Sequence, residues 1–177
     1  VSALEGRIRA AVRDVPDFPK PGIVFKDITP VLADPGLMTE ITTHLAHGWR
    51  GAAVDVVVGM ESRGFIFGAP LAMALGAAFA PARKPGKLPY RTLREHYALE
   101  YGEATLEVHE DAVRPGQRVL VVDDLVATGG TAVAAGQLAR RLGGEVVGFA
   151  FVLELAFLGA RALLAPSEVR SLVRYDG

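Results

Sequence analysis

The stretch Val119-Leu120-Val121-Val122-Asp123-Asp124-Leu125-Val126-Ala127-Thr128-Gly129-Gly130-Thr131 decides how this chain is read. Val119 to Val122 are apolar and mostly β-branched, the composition of a strand buried inside an α/β sheet. Asp123 and Asp124 stand at its C-terminal end, a loop of small residues with Gly129-Gly130 follows, and an alanine-rich helical stretch begins near Thr131. Such a strand, acidic tip, glycine–threonine loop and helix N-terminus can together hold a phosphorylated sugar. Loop amides and the helix dipole face the phosphate, and the carboxylates face hydroxyls or a metal. Successive strand side chains point to opposite faces, so at least one aspartate lies near the packed edge of the sheet. Burying a carboxylate without a partner is costly, which favours a functional pair over decoration. No Gly-Lys-Ser/Thr follows the glycines and no Gly-x-Gly-x-x-Gly is present, so neither a Walker loop nor a dinucleotide loop fits.

Outward from this segment, apolar runs predict strands near residues 54–58, 77–80, 118–122, 146–153 and 171–175. Helices are expected over residues 4–12, from Asp34-Pro35 to about Arg50, and over 64–75, 131–142 and 159–164. Strands alternating with helices imply a mostly parallel, twisted central sheet with helices on both faces. Ligands in such sheets bind beyond the strand C-terminal ends. That rule gathers residues 61–64, 83–87, 123–131 and 154–158 around one cleft. Pro16, Pro19 and Pro21 make residues 17–27 an extended segment, and residues 83–111 read as a loop or hairpin excursion with a strand near 105–109. Excursions of this length often serve as lids.

A chain of 177 residues suits one domain, and at that size about 70% of the unfolded surface can be buried. Half of its residues are hydrophobic (50%) and the net charge is -1, an ordinary soluble composition without general attraction to nucleic acid or anionic membranes. Cysteine is absent (Cys 0), which excludes disulfides, thiolate metal sites and cysteine nucleophiles. The lack of cysteine agrees with a reducing cytoplasm, where the protein is expected, and the opening residues carry no apolar signal core. Residues 64–82 are uncharged and approach membrane-spanning length. Gly68, Pro70, Gly76 and Pro81 interrupt them, and a buried helix followed by a buried strand explains them better. The four histidines (His44, His47, His96, His109) show no metal-ligand spacing.

The aspartate–glycine segment closely resembles the phosphoribosyl diphosphate (PRPP) motif of the type I phosphoribosyltransferases. Further segments resemble the adenine-specific branch of that family: Phe18-Pro19-Lys20-Pro21-Gly22-Ile23-Val24-Phe25-Lys26-Asp27, Glu61-Ser62-Arg63-Gly64, the basic run Arg83-Lys84-Pro85-Gly86-Lys87, and Tyr97-Ala98-Leu99-Glu100-Tyr101-Gly102. The resemblance implies the type I fold over residues 1–177, with a small N-terminal hood in residues 1–35 and a flexible lid in 83–111. It implies transfer of phosphoribose from PRPP to adenine, giving AMP and diphosphate. The 5′-phosphate and ribose fall to Asp123, Asp124, Ala127, Thr128, Gly129, Gly130 and Thr131, and the diphosphate to Arg63, Arg83, Lys84 and Lys87. Adenine falls to Val24, Phe25, Lys26 and Leu158. Glu100 takes an acid–base role beside Asp123 and Asp124 as catalytic groups, and Tyr101 lies by the ribose. Mg²⁺ is implied through PRPP without an assigned protein ligand, as is a homodimer. Transfer to xanthine or hypoxanthine/guanine is the alternative within the family. A non-catalytic PRPP-sensing regulator is the alternative outside enzymes.

Overall fold

Elements form where capping residues, glycines and apolar spacing agree. In this computed structural model, which describes residues 2–98 and 103–177, helix α1 (Ala3–Ala11) starts at Ser2, whose hydroxyl accepts from the Glu5 N–H. Strands β1 (Arg13–Pro16) and β2 (Val24–Asp27) then pair as an antiparallel hairpin. After the short α2 (Thr29–Leu32) comes α3 (Pro35–Trp49). Asp34 caps it, accepting from the Leu37 N–H at 2.9 Å, with Pro35 in the first turn. Leu37, Ile41, Leu45 and Trp49 recur every fourth position and bury one face of α3. The rest runs β3 (Val56–Met60), α4 (Gly64–Leu75), β4 (Ala78–Ala82), β5 (Thr92–Ala98), β6 (Glu103–His109), β7 (Arg118–Val126), α5 (Gly130–Arg141), β8 (Glu145–Leu155), α6 (Ala160–Leu164) and β9 (Val169–Tyr175). No described helix is long and apolar enough to cross a membrane.

The central sheet has the order β4-β3-β7-β8-β9, and every neighbouring pair in it is parallel. Strand alternation divides its side chains between two cores. Val119 and Val121 pack with Val56, Val58, Phe149 and Phe151 beneath α5 and the β5–β6 hairpin. Leu120 and Val122 pack with Val57, Ala150 and Val152 beneath α1, α3 and α4. From β3 the chain crosses over α4 to β4 on one side; from β7 it crosses over α5 to β8 on the other. The strand order therefore reverses between β3 and β7, and a crevice opens there at the carboxyl edge.

The end of β7 differs from the sequence expectation, while the excursion after β4 takes the hairpin form of the two expected. β7 does not stop at Val122 but runs through both aspartates to Val126. Its pairing with β3 ends at Gly59↔Val122, whereas β8 continues alongside through Val126↔Glu154. One-sided pairing extends the strand past the point where the apolar run breaks. The excursion after β4 is a regular hairpin, β5 with β6, whose register runs from Thr92↔His109 to Ala98↔Glu103.

Leu120 is fully buried (0% exposed) at the centre of the sheet. Leu120→Ala should destabilise the fold by about 2–5 kcal/mol, read as a lower urea midpoint with an unchanged m-value. A midpoint equal to that of the parent chain would contradict this placement of the core.

Candidate active site

Asp123 and Asp124 lie on the stretch of β7 that β3 no longer covers. Asp124 is 4% exposed, and its Oδ2 accepts from Arg63 Nε at 2.5 Å. Arg63 reaches it from the turn between β3 and α4, where the Glu61–Ser62 peptide is cis. Asp123 Oδ1 accepts from the Asp124 main-chain N–H at 2.8 Å. Burial, and then the neighbouring Asp124 charge, push the Asp123 carboxyl well above the ordinary carboxylate range. Gly64 makes this packing possible: a Cβ there would stand 2.8 Å from Asp123 Oδ1 and 2.9 Å from the Val122 carbonyl oxygen.

Beyond the aspartates, the chain turns at Gly129 (φ 92), a left-handed conformation suited to glycine, and enters α5. No side chain caps the first turn of α5, so its leading N–H groups remain available to an anion. A cavity of about 130 Å³ opens here, lined by residues 125–132 with Met60, Asp123 and Phe151. Thr131 Oγ1 donates to the Tyr97 hydroxyl on β5 at 3.2 Å, which brings the hairpin to the rim of this cradle.

A second cavity of about 260 Å³ is lined by Glu61, Ser62, Arg63, Lys84, Asp123 and Asp124. Asp123 lines both. The basic loop after β4 is attached to this wall by Glu61, whose Oε2 accepts from Lys84 N–H at 2.9 Å and Arg83 Nε at 3.2 Å. Burial pushes the Glu61 carboxyl up, but the Lys84 N–H and the Arg83 guanidinium outweigh it and hold it below its ordinary range. Free amides at one end, cations at the other and two carboxylates between them suit a polyhydroxylated molecule with an anionic group at each end.

A family model described as a phosphoribosyl transferase domain matches residues 36–161. The adenine phosphoribosyltransferase of Anaeromyxobacter dehalogenans (strain 2CP-1) is 60% identical over 168 residues, covering 95% of this chain and 98% of that protein. The chain belongs to the adenine phosphoribosyltransferase family. The crystal structure of the Thermoanaerobacter pseudethanolicus family member superposes with a TM-score of 0.93 at 49% identity, covering 96% of this chain and 99% of that one. The Saccharomyces cerevisiae enzyme, complexed with an imino-altritol bisphosphate and adenine, gives 0.91 at 38% identity, covering 97% and 99%.

Within this adenine phosphoribosyltransferase family fold, the residues singled out from sequence separate into groups. Asp123, Asp124, Arg63 and Lys84 meet at one cavity, and Ala127, Thr128, Gly129, Gly130 and Thr131 line the other. Arg83 is turned toward Glu61, and its Nη1 donates to the Lys87 carbonyl at 3.3 Å; neither Arg83 nor Lys87 lines the second cavity. Phe25 on β2 reaches the cleft, with the Arg63 guanidinium 5.7 Å from its ring centre and Phe18 edge-on to it at 5.2 Å. Val24 is 52% exposed. The Lys26 side chain points elsewhere, bonded to Asp14 at 2.7 Å and lying 4.4 Å from the Tyr175 ring centre. Leu158 is 41% exposed in a turn after β8 and lines neither cavity. Glu154, the first residue of the 154–158 segment expected around the cleft, has its carboxylate engaged within the fold. It is buried, bonded twice to Arg161 at 2.7 and 2.8 Å and to Ser171 at 2.6 Å. Glu100 and Tyr101 lie outside the described residues. Sequence reading overlooked Glu61 and Tyr97. Each opens a segment singled out from sequence but carried no role there, because their partners Lys84 and Thr131 become visible only once the chain is folded.

The raised Asp123 carboxyl fixes the sign of one pH effect. It is protonated in the folded chain at a pH where the unfolded chain has lost the proton. The stability it contributes is full below the ordinary carboxylate value and is lost as pH rises through the raised one. Asp123→Asn stays neutral throughout. Thermal melts from pH 4 to 8 should show it gaining stability over the parent chain as pH rises, and parallel curves would contradict the burial of this charge.

Proposed function

We propose that this chain transfers the 5-phosphoribosyl group from PRPP to adenine, releasing AMP and diphosphate. The observation that carries the reading is the pair of cavities joined at Asp123, one walled by the free amides of α5 and the other by Arg63 and Lys84. The 5′-phosphate suits the first and the diphosphate the second. Asp123 and Asp124 lie between them for the ribose hydroxyls, near the positive charge that develops on the sugar. Anchoring both ends holds C1 in line for attack. The imidazole nitrogen of adenine bonds to C1 as the bond from C1 to the diphosphate oxygen breaks. The electron pair leaves with diphosphate, and the imidazole proton passes to Glu100. Arg63 and Lys84 stabilise the departing charge, with Arg83 and Lys87 behind them. Phe25 packs on the base, main-chain groups around Val24 and Lys26 read its edge, and Leu158 covers its other face.

Magnesium fits this design as a companion of the substrate. Among the described residues no three His, Cys, Asp or Glu side chains group to hold a metal, whereas Asp123 and Asp124 line the diphosphate cavity beside Glu61, whose carboxylate is taken by Arg83 and Lys84. Mg²⁺ is commonly held by one or two carboxylates together with substrate phosphates. Asp123 and Asp124 are the residues that would meet it, and when bound it supplies positive charge to the leaving group.

The assembly is one domain over residues 1–177, with a hood within 1–35 and a lid over 83–111. A homodimer accords with α4, an uncharged helix that leaves Ile66 39% and Met73 83% exposed; sedimentation tests it. A cytoplasmic setting accords with the lack of cysteine.

Diphosphate release from PRPP should occur with adenine and not with hypoxanthine, guanine or xanthine. Release that ignores the base offered would overturn the assignment. Arg63→Ala should raise the KM for PRPP roughly ten- to hundredfold, and an unchanged KM for PRPP would remove it from the site. Glu100→Gln should slow turnover by about 10²–10⁴, and a loss of only a few fold would remove it from the proton transfer.

A further inference from the structure

Glu107 is a buried titratable group that the chemistry above leaves unused. It sits on β6 between Leu106 and Val108 with 1% of its surface exposed. A carboxylate taken out of water requires close cationic or N–H partners. Its Oε2 accepts from the Gly86 N–H at 3.1 Å. Its Oε1 faces Arg94 Nε at 2.5 Å across the hairpin, where the two residues are register partners. Its main chain pairs with Arg83 in both directions: Arg83 N–H donates to Glu107 O at 2.8 Å, and Glu107 N–H donates to Arg83 O at 2.7 Å.

One residue therefore grips the basic loop at two points, through its backbone at Arg83 and through its carboxylate at Gly86. Lys84 and Pro85 arch between them, and Glu61 takes the Lys84 N–H from the opposite side. Lys84 lines the cavity it shares with Arg63 and the aspartates. A lysine is a point charge on a flexible stem, so its aim depends on how firmly its backbone is held. Holding it in advance removes ordering cost from the capture of an anion.

We propose that Glu107 is a positioning residue for the diphosphate: its buried carboxylate fixes loop 83–87 so that Lys84 faces the second cavity, and it ties that loop to the β5–β6 hairpin. The inference rests on the diphosphate reading of that cavity. Titration calorimetry with magnesium diphosphate and, separately, with AMP tests it on the full chain. Glu107→Leu removes the acceptor for Gly86, whereas Glu107→Gln keeps an acceptor and loses the charge. Magnesium diphosphate binding should weaken roughly ten- to hundredfold in Glu107→Leu and less in Glu107→Gln, with AMP binding unchanged in both. In turnover, the KM for PRPP should rise while the KM for adenine stays constant. Equal losses for the two probes, or no loss for diphosphate, would overturn the role. A parent chain that binds AMP but not magnesium diphosphate would remove the diphosphate reading itself, and this role with it. Amide exchange in the parent chain gives a check that needs no variant. The Gly86 N–H should exchange about tenfold or more slowly than that of Lys87, as a hydrogen-bonded amide does, and equal rates would contradict the grip.

Discussion

A carboxylate buried where a parallel sheet loses one neighbour strand is the constraint from which the cleft follows. Asp124 sits on β7 just past its last β3 pairing, 4% exposed, where a polar group without a partner is costly. Arg63 makes it tolerable. To reach Asp124, the chain must turn sharply after Met60, and α4 must begin at a residue without a side chain, which is Gly64. The same guanidinium lies near the Phe25 ring, so the N-terminal hairpin registers on the cation that neutralises the sheet edge. Arg63 is 43% exposed while Asp124 is buried, so removing Arg63 would leave the buried carboxylate without its cation. That asymmetry holds Arg63, Asp124 and Phe25 in one place before any substrate arrives.

Charge is managed in the same way around the rim. Glu61 and Glu107 each spend a carboxylate on the backbone of the basic loop, and the Thr131 hydroxyl reaches the hairpin through Tyr97. The cleft is thus enclosed by segments far apart in sequence and fastened to one another by a few polar contacts each. Apolar packing builds the two cores beneath it, while the polar contacts decide where loops point.

The sheet, its helices and the strand–loop–helix cradle were legible because each depends on local pattern. Four apolar residues before Asp123, paired glycines after Ala127 and the Asp34-Pro35 cap announce themselves over a few residues. What escaped depends on partners distant in the chain. β7 runs on through Val126 because β8 accompanies it, and no run of β7 residues records that. The family resemblance gives Arg83 to the diphosphate, but its contact with Glu61, 22 residues earlier, is not written in the basic loop. Glu154 looked like part of the cleft until Arg161 and Ser171 closed over it. Pro19 and Pro21 fall in the turn of a hairpin whose innermost pair is Pro16↔Val24, and the proline run concealed it.

A crystal structure with AMP tests the central claim most directly. The account predicts the 5′-phosphate seated on the main-chain N–H groups of residues 127–131, the ribose hydroxyls against Asp123 and Asp124, and the base beside Phe25. A nucleotide bound elsewhere, with the Gly129–Gly130 turn making no contact to its phosphate, would contradict it.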